Sequence, residues 1–258
     1  MPDRLDEEQE REVRHILADS TFEKQISGAI VNNRNLQRLR PGQWLDDESI
    51  NFYAVLINNR SNDMRELRAA ALEGERKRAK KAQGYWDVHA FQTHMFVKIQ
   101  REGHAGVKRW TKKVDVFSKD RIIFPVNRSN SHWVTAAINL RQRRFEFYDS
   151  MTGGWAHDAA HALRAWLEAE WLAKKASSFD GKTLDTSGWD VYDCPTNPQQ
   201  ENGSDCGVFT VLMMEHLSRR DPCLDEDLRE MEWNFAQSNV PYYRRRMIWE
   251  LGNATLLE

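Results

Sequence analysis

The run Gln199-Gln200-Glu201-Asn202-Gly203-Ser204-Asp205-Cys206-Gly207-Val208 holds the residue types of a thiol active site. Cys206 follows a Gly-Ser-Asp turn and opens an apolar stretch, Val208 to Leu217, with the length and content of a buried helix. A sulfur at a helix N-terminus faces the positive end of the helix dipole, which favours the nucleophilic thiolate. Six residues upstream, Gln200 carries an amide N–H that could face a developing oxyanion. The alternative for Cys206 is a small buried residue, the ordinary fate of a free cysteine.

A thiol nucleophile needs a base, and the base needs a carboxylate to orient it. Residues His132–Ile138 and Arg144–Asp149 have the composition of two paired strands. A tight hairpin about Asn139-Leu140-Arg141-Gln142 sets Val134 opposite Phe147 and Ala136 opposite Phe145, giving one apolar face. The other face then carries Thr135 against Glu146 and Ala137 against Arg144, a wetter set. The same register puts His132 opposite Asp149, with Cβ atoms about 5 Å apart and an imidazole–carboxylate bond in reach. Taken singly, His132 reads equally as a surface or core histidine, Asp149 as a hairpin-end turn residue, and Gln200 as a loop amide bonding backbone. Joined to Cys206, they form a nucleophile, a base, an orienting acid and an oxyanion donor.

The elements that must position these groups are partly visible. Charged residues around Leu5, Val13, Ile16 and Leu17 predict a surface helix over 5–17. Asp46 predicts the cap of a helix carrying Ile50, Phe52-Tyr53 and Leu56-Ile57. From about residue 60 to 83 the chain is rich in Ala, Arg, Lys and Glu, which predicts a helical extension or a charged surface excursion. Within it, the basic cluster Arg76 to Lys81 reads as a nuclear-import signal or as a solvated face. Strands are expected at Val114–Phe117, Arg121–Val126 and near Trp189–Tyr192, with helices over His157–Lys175 and from Val240 through Trp249. The order helices, strands, helices predicts an α+β fold with a central mixed or antiparallel sheet.

Composition narrows the class. The 258 residues suit one domain, and no linker divides them, so a single unit over 1–258 is expected. A formal net charge of −2 offers no basic field for nucleic acid. Cys194, Cys206 and Cys223 cannot all pair and show no zinc-ligand spacing, which predicts a reducing, intracellular compartment and no structural metal. The charged N-terminus does not read as a signal peptide, and the apolar runs are too short to span a membrane.

Seven ordered blocks carry a family resemblance: W-L-D-D-E-S-I-N-F-Y (44–53), V-H-A-F (88–91), V-K-R-W-T-K-K-V-D-V-F-S (107–118), H-W (132–133), F-Y-D-S-M (147–151), P-Q-Q-E-N-G-S-D-C-G-V-F (198–209) and P-Y-Y-R-R-R-M-I-W-E (241–250). Through them the chain resembles the Ulp/SENP family of cysteine proteases, which process SUMO and related ubiquitin-like modifiers. The resemblance implies a central mixed sheet flanked by helices, with the nucleophile at a helix start. It implies a triad of His132, Asp149 and Cys206 with Gln200 at the oxyanion hole. Trp44 and Trp133 match tryptophans that lie as a lid over the modifier's Gly-Gly tail, where side chains larger than glycine would collide. Asp47 and Arg109 match polar contacts to the modifier's body. Each has a plainer alternative: core packing for the tryptophans, a first-turn carboxylate for Asp47, a solvated cation for Arg109.

The implied protein is a monomeric SUMO peptidase and isopeptidase without cofactor, whose partners are SUMO and SUMO-conjugated proteins. Nucleus or nuclear envelope is the implied location, with cytoplasm as the alternative. Two departures stand out: His94-Met95 occupies the place of an aromatic pair, and the 60–83 excursion is long for the family core. Other readings are a protease for another Gly-Gly-ending modifier and a silent modifier-binding module. The intact Cys206, His132, Asp149 and Gln200 argue against the second.

Overall fold

The computed structural model describes residues 4–71, 84–151, 154–219 and 233–257. The basic cluster at 76–81 and Cys223 lie outside the described residues.

Helix α1 (Glu7–Ala18) starts at a reciprocal cap, in which Asp6 accepts the Gln9 N–H and the Gln9 side chain accepts the Asp6 N–H. A hairpin of β1 (Glu23–Ile26) and β2 (Ala29–Asn32) follows, turned at Ser27-Gly28, both at positive φ. Sequence reading missed it because each strand has four residues, although Ser-Gly is a turn signal. Short α2 (Asn33–Gln37) leads to the loop bearing Trp44. Helix α3 (Asp47–Ala71) begins where expected, with the Asp46 carboxylate accepting the Ser49 N–H at 3.0 Å and its hydroxyl at 2.7 Å. The stretch expected as a helical extension or surface excursion begins inside α3, which continues to Ala71, so no excursion starts at residue 60. Arg60, Ser61 and Met64 are buried in α3, and Arg60 pairs with Glu215 at 2.7 Å.

The remaining elements are β3 (Val88–Ala90), α4 (His94–Val107), β4 (Arg121–Arg128), β5 (His132–Asn139), β6 (Arg144–Tyr148), α5 (Ala156–Lys174), β7 (Asp190–Asp193), α6 (Cys206–Leu217) and α7 (Val240–Asn253). Among the described residues β3 to β7 form one sheet in that order, antiparallel within β4-β5-β6 and parallel at both outer pairs. The fold is therefore α+β with a central mixed sheet. The strand expected at Val114–Phe117 is instead a 3-10 turn, Val116–Ser118, because the Asp115 side chain accepts the Phe117 N–H and caps it. Gly103 at φ 62 breaks the helical pattern of α4.

Both sheet faces are buried. Val134, Ala136 and Ile138 of β5 join Phe145 and Phe147 of β6 in a core shared with Phe96 of α4 and Trp166 of α5. Trp133 and Ala137 point into a second core with residues of α3, α6 and α7. The β5–β6 register differs from the expected one by two residues: Ala136 faces Phe147, Ile138 faces Phe145, and Asn139 faces Arg144. A two-residue turn at Leu140-Arg141 would require positive φ at Leu140, and at Arg141 too in its type I′ form, which neither residue favours. The chain instead uses a loop over 140–143, in which the Asn139 side chain accepts the Gln142 N–H at 3.0 Å and Arg143 takes φ 54. A shift of two keeps every side chain on its face, so the apolar face survives the error.

The other face is dry, contrary to expectation. Thr135 and Glu146 are fully buried. Glu146 lies 3.1 Å from Arg121 and 2.7 Å from Arg144, and accepts further bonds from Asn139 and the Tyr148 hydroxyl. Removing one partner of such a cluster strands the others' charge in the core. Glu146→Ala is expected to cost about 3–5 kcal/mol in urea unfolding. A loss below about 1 kcal/mol would mean that water solvates the two arginines there.

Candidate active site

His132 opens β5, and Asp149 follows the last residue of β6, so antiparallel pairing brings both to one end of the sheet. They are not directly opposite. Continuing the observed register by one residue sets Asp149 against Val134, diagonal to His132. Diagonal neighbours remain within reach of long side chains. His132 Nε2 lies 2.6 Å from Asp149 Oδ1.

Cys206, the first residue of α6, is buried, and its sulfur lies near enough to the imidazole of His132 to raise its pKa. With Nε2 occupied by the carboxylate, Nδ1 is the ring nitrogen left for the sulfur. A strand start, a strand end and a helix start thus meet, and the structure brings together the three groups that the sequence singled out.

Gln200 stands beside them. Its backbone N–H donates to the Ser150 carbonyl at 2.8 Å, its Oε1 accepts the Ser150 hydroxyl at 2.6 Å, and its Nε2 donates to the Asn202 carbonyl. A carboxamide nitrogen carries two hydrogens, so one remains for a ligand.

A cleft of about 500 Å³ lies next to this centre, lined by Trp44, Asp47, His94, Asn127 and Trp133 among others. Trp133 is 5% exposed and donates its indole N–H to the Leu45 carbonyl, whereas Trp44 is 42% exposed on the rim. Trp133 and Leu45 also press on Gly207: a Cβ there would sit 2.8 Å from Leu45 Cβ and 3.4 Å from Trp133 Cδ1. Glycine after Cys206 lets the helix start come this close to the cleft wall. Arg109 lies exposed in a turn after α4 and is not part of the cleft lining. The departure at His94 falls on the cleft, where its Nε2 is 3.4 Å from Asp47 Oδ2.

Residues 43–251 match the Ulp1 protease family, C-terminal catalytic domain. This chain belongs to that family. It is 38% identical over 252 residues to a Sentrin-specific protease of Caenorhabditis elegans, covering 93% of this chain and 31% of that protein. With Sentrin-specific protease 2 of Homo sapiens it shares 31% identity over 258 residues, covering 98% of this chain and 38% of the relative. The chain thus spans about a third of the length of these relatives. In fold it resembles the C-terminal Ulp1 protease domain solved in complex with Smt3, the yeast orthologue of SUMO. That likeness has a TM-score of 0.68 and 20% identity, covering 97% of this chain and 96% of that one. A Ulp1-like SUMO protease catalytic domain of Chaetomium thermophilum superposes with a TM-score of 0.70 at 19% identity, over 99% and 92% of the two chains.

Within this Ulp1-family domain several supporting residues had escaped the sequence reading. Arg128 ends β4 directly opposite His132, and its guanidinium is 3.2 Å from Asp149 Oδ2. The Met151 N–H donates to Asp149 Oδ1 at 2.9 Å. Side-chain amides of Asn197 and Gln199 hold the Asp149 carbonyl. The signal for Arg128 was its place across the Ser129-Asn130-Ser131 turn from His132. Asn197 and Gln199 had no signal beyond their nearness to Gln200.

Burial pulls the His132 pKa down, but donation to the Asp149 carboxylate and the nearness of the Cys206 sulfur, with the charges of both, push it up to about 9. The folded protein therefore holds a proton that the unfolded chain loses near its ordinary value of about 6.5. The resulting stabilisation is full below about pH 6.5 and is lost as pH rises through about 9. Asp149→Asn removes the chief counter-charge. In the parent, the His132 ring resonances should titrate near 9, and in the variant near or below about 6.5. An unchanged NMR midpoint would show that Asp149 does not set the imidazole's charge.

Proposed function

We propose that this chain is a thiol protease and isopeptidase that cleaves after the C-terminal Gly-Gly of SUMO, acting on precursors and on lysine conjugates. The observation that carries the reading is an imidazole bound to a carboxylate at 2.6 Å and lying near the buried thiol of a helix-opening cysteine. That constellation supplies a nucleophile, a general base and an orienting acid. The Sentrin-specific names of its relatives, and the Smt3 complex of a protein with the same fold, support SUMO as the modifier.

The chemistry follows from the positions. Sulfur of Cys206, its proton held by His132, attacks the carbonyl carbon of the terminal glycine. The negative oxygen that forms is met by the Cys206 backbone N–H and the free Nε2 hydrogen of Gln200. His132 then protonates the departing amine, which leaves with its two electrons. Water enters, gives its proton to His132 and hydrolyses the thioester, releasing the modifier's carboxylate and the thiol. An α-peptide and an ε-isopeptide present the same glycine carbonyl, so one site serves both. The buried sulfur demands a slender approach, and the cleft between Trp44 and Trp133 suits a tail without side chains.

SUMO ending in a C-terminal electrophile is expected to label the protein at Cys206 stoichiometrically, and Cys206→Ser should bind the modifier without turnover. Gln200→Ala should lower kcat by roughly 100- to 1,000-fold with KM little changed. Labelling by a probe of another Gly-Gly-ending modifier but not by SUMO would move the assignment to that modifier. Labelling by neither would leave a modifier-binding module.

A further inference from the structure

The residue before the nucleophile is an aspartate whose carboxylate is turned away from its own helix. Asp205 occupies the N-cap of α6, the place where an Asp side chain usually accepts a first-turn N–H, yet it makes no such bond. Its Oδ1 instead receives Nε of Arg244 at 3.0 Å and Nη2 at 2.5 Å. Its Oδ2 receives the side-chain amides of Asn202 and Gln237, each at 2.7 Å. Arg244, on α7, is 2% exposed, and Asp205 is 4% exposed. The rest of the guanidinium is spent on backbone: Nη1 donates to the carbonyls of Arg38 and Arg40, and Nη2 to those of Gln43 and Ser204. One buried cation therefore grips the turn that precedes Cys206 and the loop that leads to Trp44.

We propose that Arg244 is a positioning residue for the nucleophile. By binding the Asp205 carboxylate and turning it aside, it leaves the first-turn amides of α6 to the oxyanion and keeps an unpaired negative charge from the sulfur. This inference rests on the thiol-protease reading above. Two facts favour it over plain structural anchoring. The carboxylate is saturated by donors that all lie off the helix, so its diversion is built by three side chains on separate segments. Burial raises its pKa, but bonds from Gln237, Asn202 and Arg244, with the charge of Arg244, hold it below the usual carboxylate value. A full negative charge thus stands next to Cys206 and needs its counter-ion.

The test is a double-mutant cycle on the full chain with a SUMO C-terminal fluorogenic ester. Arg244→Gln is expected to lower kcat about tenfold or more with KM within about threefold, and to move the acid limb of kcat/KM to higher pH. Adding Asp205→Asn removes the stranded charge, and the pair should regain about fivefold or more in kcat and return the limb toward the parent's. A double variant no more active than Arg244→Gln, with its limb unmoved, would reduce Arg244 to a structural anchor and overturn the proposal. Should Arg244→Gln fail to fold by circular dichroism, Gln237→Ala decides. It strips one donor from Oδ2 at a half-buried site and should shift the limb the same way by less, whereas an unmoved limb overturns the proposal. If the parent itself is inert toward the ester, the functional reading fails and takes this inference with it.

Discussion

The helix that carries Cys206 is apolar on every side, and that is the constraint on which the site depends. From Cys206 through Met214, every residue of α6 is buried, as is Leu217. Hydrophobic burial is strong but has no direction, so it does not by itself fix a helix's rotation or its position along its axis. A slip of one residue would move the sulfur by about 1.5 Å, enough to misalign it from the imidazole. Buried arginines supply the missing direction. Arg244 of α7 holds Asp205 at the start of α6. Arg60 of α3 holds Glu215 and the Ser218 hydroxyl at its end. Arg121 of β4 donates to the Leu217 carbonyl at 2.8 Å while pairing with Glu146. Buried ion pairs of this kind add little net stability over apolar packing, and their best-attested use is to set register. Here they tie one helix to two others and to the sheet.

The sheet imposes a complementary constraint. With helices on both faces, its strand interiors are closed to water, and polar chemistry is confined to strand ends and loops. His132 and Asp149 stand at such an end, where β5 begins and β6 has just finished. Alternation along β5 then separates two tasks. His132 belongs to one side of the strand with Val134, while Trp133 turns to the other side, against Leu45 and Gly207. The imidazole and the cleft wall are thus sequence neighbours with opposite orientations. Arg128, at the matching end of β4, completes the grip on the carboxylate.

Much of this was legible in the chain, for identifiable reasons. Period-two alternation survives a register error of two residues. His132 and Asp149 were therefore placed on the correct face and at the correct end, although the loop over 140–143 was misread as a tight turn. Cap chemistry at Asp46 marked the start of α3 correctly. What sequence patterns did not carry was the second layer of packing. The Thr135 and Glu146 face looked solvated because its residues are polar, and only the arrival of α6 and two arginines makes it dry. Asp115 converted an apolar run into a 3-10 turn through one side-chain bond. Arg244 lies 38 residues beyond Cys206 in the sequence, and nothing local to α7 announces that its guanidinium reaches the nucleophile turn.

The two tryptophans at the cleft differ in how far they are committed to packing. Trp133 is buried against Gly207, so it holds the cleft wall at a fixed distance from the helix start. Trp44 leaves much of its ring in water, which costs apolar hydration at roughly 25 cal/mol for each Å² left uncovered. A ligand that lies across it recovers that cost. Its loop is rigidly based all the same, because the carbonyls of Arg38, Arg40 and Gln43 are bound to Arg244. An exposed aromatic on an anchored loop loses little conformational entropy when covered, and so contributes more of its burial to binding. The same guanidinium that holds Asp205 beside Cys206 also holds the loop that leads to Trp44, so helix start and cleft rim share one mechanical support.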